Sequence, residues 1–239
     1  MFFVTSCITV LHIALALSSN LIFLSAQQLY IRYPGGDWII PGSTLDITGD
    51  STLSTMPIPP TLTDNIQEST KTPELGGTDL TCDLRYLLLF IDLDGQIPGT
   101  AISTVVLHWY RPDLLLNCSN STSPAILYAD EDATSEYIAD YVAPQAPPCS
   151  HHRYAYLLFT QPASYKFPEC FSHIPPKTLD GRAGFDVYEF IAAAGLDPPI
   201  AMNYFFGRNN GSGGTPEPIP SPTTTSFRSM TCKTGPTEI

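Results

Sequence analysis

Two histidines and two aspartates carry most of the chemistry that this 239-residue sequence offers. His151, His152 and Arg153 stand together where a run containing Pro144, Pro147 and Pro148 gives way to the aromatic and aliphatic residues 154–160. The prolines exclude helix there, and the apolar run reads as a strand buried on both faces. Successive strand side chains point to opposite faces, so only one of the two histidines can enter a given cavity. By itself the pattern fits a solvated strand start with one hydrogen-bonded histidine, or an anion site at the rim of a sheet. Asp92 and Asp94 flank Leu93 at the end of the apolar run 86–91 and share a face in extended geometry. Such a pair can bind a metal, act as acid and base, or cap a turn; taken alone, the turn is the better reading. His108 lies within the apolar run 102–110 and reads alone as a hydrogen-bonded core residue, because burying an unpaired imidazole is costly.

A β framework has to position these residues. Period-two alternation or continuous apolar character marks strands at 29–33, 86–91, 102–110, 154–160 and 200–206. In the third of these, His108 is placed beside Val106 and Tyr110, on the face opposite Leu107 and Trp109. Residues 50–78 read as irregular, with one strand near 60–63 and an exposed loop over 64–78. Residues 114–124 read as an outer loop and the acidic stretch 130–140 as a solvated face. One helix is expected over 185–194, where Phe185, Tyr188, Ile191 and Ala192 form a stripe and Gly195 takes the position after the helix end.

Composition limits the rest. Residues 1–26 contain no charged side chain and read as a secretory signal peptide ending at Ala26, and no segment of the mature chain could span a bilayer. Secretion leaves Cys82, Cys118, Cys149, Cys170 and Cys232, which implies two disulfides and one leftover thiol. Glycosylation sequons begin at Asn117, Asn120 and Asn210. Residues 207–239 are rich in Gly, Pro, Ser and Thr and read as a disordered tail whose removal after Arg208 leaves the fold intact. A net charge of −12 with no basic cluster excludes nucleic acid and polybasic docking on anionic lipid. There is no nucleophile elbow, phosphate-cradling glycine loop or zinc-type cysteine pair, so no cofactor or metal is expected and the chain is read as a non-enzyme.

Together these pieces resemble the phosphatidylethanolamine-binding protein family. One family signature, a strand ending in Asp-Pro-Asp and followed by His-Trp, is matched by Asp92-Leu93-Asp94 and His108-Trp109. A second, a Pro-Pro loop leading into His-Arg-Tyr and a hydrophobic strand ending in Gln, is matched by Pro147-Pro148, His152-Arg153-Tyr154 and Gln161. Residues 29–35, Arg182, 185–190 and 199–205 add to the likeness, which runs from about Leu29 to Phe206 with insertions, within a domain read as 27–206. Leu93 replaces the middle proline, Gly95-Gln96-Ile97 replaces Ala-Pro-Ser, and Ser150-His151 replaces the glycine before His-Arg.

The resemblance implies a mainly β protein, with a large antiparallel β-sandwich-type core and a few peripheral helices. It implies a small pocket lined by Asp92, Asp94, His108, Pro147, His152 and Tyr154, suited to a phospholipid head group or a similar phosphate-type anion. Carboxylates beside the imidazoles would then raise the histidine pKa values, unless burial outweighs them. It also implies that Cys118 and Cys170 lie beyond the far ends of two strands and bridge, with Cys149 on the pocket side. The alternative is a protein-interaction module, such as a peptidase inhibitor or signalling regulator, acting through its surface.

Overall fold

The structure, a computed structural model, describes residues 26–47, 71–97, 99–100, 102–119, 123–133, 137–174, 178–211 and 232. Residues 1–25 of the expected signal peptide, the strand expected near 60–63 and Asn120 lie outside the described residues, as does most of 207–239.

Among the described residues, nine strands make one sheet: β1 (Gln27–Gln28), β2 (Tyr30–Arg32), β3 (Ser43–Asp46), β4 (Glu74–Gly77), β5 (Arg85–Gln96), β6 (Ser103–Leu116), β7 (Ala125–Ala129), β8 (Ser150–Gln161) and β9 (Ala201–Asn209). Their spatial order is β1-β9-β8-β5-β6-β7-β4-β2, with β3 parallel to the outer half of β9. Only Leu29 separates β1 from β2, yet β1 pairs with β9 at one end of the order and β2 with β4 at the other. One short segment therefore spans both ends and nearly closes the sheet. The expected mainly β core is thus a single sheet curled on itself. Closure leaves few unpaired strand edges exposed.

Alternation along the central strands sorts the core into two parts. Tyr86, Leu88 and Phe90 of β5, with Tyr154, Tyr156 and Leu158 of β8, fill the inside. Leu87, Leu89 and Ile91, with Ala155, Leu157 and Phe159, point outward and are covered by Phe171, Phe185 and Phe190. Phe190 belongs to α1 (Val187–Ala193), the one α-helix among the described residues. Asp186 caps it by accepting from the amides of Tyr188 and Glu189, and Gly195 follows with φ 61°.

Several expectations are corrected. Residues 64–78 were expected to be loop, but they contain β4, whose Leu75 is buried against β7 and the inner core. β6 does not stop at Tyr110 but runs on to Leu116, into the stretch expected as an outer loop; a register shift opposite Tyr86–Leu88 accommodates Pro112 and Asp113, whose φ is 56°. Antiparallel pairing of β5 with β6 brings the approach to β5 beside the end of β6. Cys118 consequently bridges Cys82 (Cα–Cα 6.0 Å) and not Cys170, while Cys170 bridges Cys232 and Cys149 remains free.

Candidate functional site

A cavity of about 300 Å³ opens at the end of the sheet where β5 finishes, β6 begins and β8 enters. Asp92, His108, Pro147 and His152 line it, together with Gly95, Gln96, Gln145 and Ala183. Two bulges produce this arrangement. Phe90 pairs with Trp109 and Ile91 with Leu107, so His108 is the extra residue of a β-bulge. His108 and Trp109 consequently face the same, inner side, where His108 meets the edges of Phe90 and Tyr154. Strict alternation would have put them on opposite faces.

The second bulge lies in β5 between Asp92 and Gly95, which pair with Val106 and Thr104. It turns the two aspartates apart. Asp92 is 2% exposed and faces the cavity; its Oδ1 accepts from the amide of Asp94 at 2.8 Å. Asp94 instead accepts from the amide, Nε and Nη2 of Arg153, at 2.7, 2.8 and 2.6 Å. Asp94 therefore holds the entrance of β8 and does not line the cavity. Gly95 completes the bulge: a Cβ there would lie 2.3 Å from Cγ2 of Val106.

His152 donates from Nδ1 to Oδ2 of Asp92 at 2.7 Å. His151 lies on the other face of β8, half-buried, as alternation requires. His108 donates from Nδ1 to the carbonyl of Val142 at 3.0 Å, which leaves Nε2 to face Oδ2 of Asp92 at 3.9 Å. That Nε2 is buried and has no hydrogen-bond partner. Burial pushes the His108 pKa below its ordinary value, and the charge of Asp92 only partly opposes the shift. For His108 burial thus outweighs the carboxylate, which is the exception that the expectation allowed.

Tyr154 lies beneath the cavity, fully buried, and donates to the carbonyl of Gln145 at 2.7 Å. Burial, helped by Asp92, pushes its pKa well above the ordinary tyrosine value, so it stays a neutral donor. The rim loop is also pinned: Ser150 Oγ donates to the carbonyl of Pro147 at 2.6 Å, and Asn209 Nδ2 to that of Ala146 at 2.6 Å.

Two participants were not assigned roles from sequence. Val142 supplies the carbonyl that fixes the ring of His108. Arg182, buried, donates through Nη1 to the carbonyls of His108 at 3.2 Å and Asp140 at 2.7 Å. Its place in the family-like motif was the only signal available for it. Among the described residues, no group of three or more His, Cys, Asp or Glu side chains could hold a metal ion.

Residues 39–205 match the family model described as phosphatidylethanolamine-binding protein. The chain belongs to that family. Membership agrees with the fold: the carboxypeptidase Y inhibitor solved with its cognate proteinase superposes with a TM-score of 0.55 at 15% identity, over 82% of this chain and 90% of that one. A phosphatidylethanolamine-binding protein from Plasmodium vivax gives a TM-score of 0.52 at 15% identity, over 78% and 88%. At such identities the likeness is one of fold. Closer in sequence is the phomoidride biosynthesis cluster protein N of Talaromyces stipitatus, 36% identical over 121 residues and 51% of this chain. A protein of the same name from another fungal species is 39% identical over 120 residues and 50% of this chain. The chain spans a little over half the length of these relatives, 58% of the first and 51% of the second.

Proposed function

We propose that this member of the family is a secreted, non-catalytic binding protein whose cavity takes a phospholipid head group or a similar phosphate-type anion. One observation carries the reading: the Nε2 of His108 is buried, unpartnered and 3.9 Å from Asp92 in a cavity that His152 also lines. An unsatisfied buried polar atom costs free energy, and a ligand that pairs with it recovers that cost. Because Nδ1 already donates to Val142, a neutral ring presents Nε2 as an acceptor. Donation to a phosphate oxygen needs the imidazolium, so anion binding brings a proton with it. Asp92 favours that protonated form and offers a carboxylate to a cationic part of the same head group. The family description and the name of the Plasmodium vivax protein agree with this ligand class.

Secretion is the compartment that fits the uncharged first 26 residues and the two disulfides. No helix among the described residues is long and apolar enough to cross a membrane. Of the sequon residues, Asn210 is exposed and Asn117 half-buried.

Calorimetric titration with phosphoethanolamine, at pH values on either side of the ordinary imidazole pKa of about 6.5, tests the reading. In buffers of different ionisation enthalpy it should show proton uptake, with affinity falling as pH rises. His152→Ala should weaken binding, by about tenfold for a lost charge-assisted hydrogen bond. No binding at any pH, with inhibition of a peptidase instead, would transfer the function to the surface of the protein.

A further inference from the structure

A second cavity, of about 430 Å³, lies where the sheet splits. β7 pairs with β6 only from Leu114 to Leu116. Further along β6, the edge is taken over by residues 139–142: Tyr110 and Ala139 exchange backbone hydrogen bonds, and the amide of Val142 donates to the carbonyl of His108. The gap left beside β7 and β4 exposes a patch of the inner core, formed by Leu75, Trp109, Leu114 and Leu127, each less than 10% exposed overall. Tyr141 stands edge-on to Trp109, with ring centroids 5.6 Å apart. The bulge at His108 thus aims two successive side chains inward, one into each cavity.

Among the described residues the lining carries one cation, the half-buried guanidinium of Arg111. It has no hydrogen-bond or ion-pair partner among the described residues, in a chain whose net charge is −12. Asp140 lines the same cavity but is exposed, so solvent screens its carboxylate more than the half-buried guanidinium. A cavity of this size, lined partly by apolar side chains and carrying a cation with no partner among the described residues, is a form that a small-ligand site takes. A guanidinium beside Trp and Leu side chains calls for a ligand with a carboxylate at one end and hydrocarbon at the other.

We propose that this second cavity binds an amphiphilic carboxylate, a medium-chain fatty acid being the simplest, with its carboxylate on Arg111 and its chain against Trp109, Leu75 and Leu127. The site is separate from the His108 cavity and stands or falls independently of the anion reading there.

The test uses the full chain and decanoate, followed by calorimetry and by the fluorescence of the two tryptophans, Trp109 and Trp38. Saturable binding of one decanoate is expected, with decanol weaker and decyltrimethylammonium weaker still. Arg111→Met should reduce decanoate affinity about tenfold or more while leaving decanol unchanged, the size expected for a lost charge-assisted pair. His108→Asn should leave decanoate affinity unaltered. Absence of saturable binding overturns the proposal, as does equal affinity for the anionic and cationic amphiphiles. Loss of decanoate binding in His108→Asn but not in Arg111→Met would place the ligand in the first cavity and also overturns it. Should Arg111→Met fail to fold, the comparison of the three amphiphiles on the wild-type protein decides.

Discussion

Cys232 is joined by a disulfide to Cys170, 62 residues earlier in the sequence. Its amide also donates to Oε1 of Glu189 on α1, and the residue packs against the outer core. Cys232 is therefore tied to the domain, which argues against the expectation that removal after Arg208 leaves the fold intact. Truncation after Arg208, or Cys232→Ser, should lower the unfolding free energy by ~2–4 kcal/mol, because a long loop in the unfolded chain loses its constraint. Denaturant unfolding without reductant measures it. An unchanged midpoint would show that the tie contributes nothing.

Burial holds the His108 pKa below its ordinary value of 6.5, so the unfolded chain binds the extra proton more readily than the folded one. Stability should be full above about pH 6.5 and fall as pH drops from there towards the folded pKa. His108→Asn can keep a donor towards Val142 without a titrating group, and should flatten this acid limb. Phosphate should do the reverse of acid, stabilising the wild type more as pH falls, since it binds the protonated ring. Midpoints across a pH series, with and without phosphate, test both signs.

The central strands were legible because residues 86–91 and 154–160 are apolar without interruption, which only a strand covered on both faces requires. The helix end was legible too, through Gly195 and the prolines after it. Bulges were not. Whether His108 shares a face with Trp109 or opposes it depends on one unpaired residue in the register with β5, and no local pattern at 102–110 records that. The same holds for Asp92 and Asp94: their spacing promised one face, and a bulge gave each a different partner. Cysteine pairing failed for a related reason. Cys82 meets Cys118 only because the chain before β5 runs beside the end of β6, a fact of tertiary pairing.

The division between the aspartates gives a pair of opposite outcomes. Asp94→Ala leaves the largely buried guanidinium of Arg153 without its carboxylate, and should cost about 3 kcal/mol of stability. The ligand affinity of the folded fraction should change little. Asp92→Asn keeps an acceptor for the amide of Asp94 but removes the charge that favours protonated His108. It should cost less stability and weaken phosphoethanolamine binding, most visibly in mild acid. Unfolding curves and titrations on both variants check the crossover, and matching behaviour in the two would contradict the division.

Arg182 should act on the site at one remove. Its Nη1 joins the carbonyls of His108 and Asp140, and so clamps residues 140–142 to the bulge. That clamp sets the carbonyl of Val142 against Nδ1 of His108, which fixes the tautomer and leaves Nε2 facing the cavity. Arg182→Met removes both donations without touching the cavity, which Arg182 does not line. Stability should fall, because the carbonyl of Asp140 loses a buried donor, at about 1–3 kcal/mol. Loss of packing alone would stop there. Positioning predicts more: the nitrogen-15 spectrum of His108 should change from one Nδ1–H tautomer to a mixture, and phosphoethanolamine affinity should drop in parallel. Arg182→Lys, keeping a donor but not the planar fork, should restore stability more than it restores the tautomer. If the tautomer survives in Arg182→Met, the orientation of His108 rests on Val142 alone.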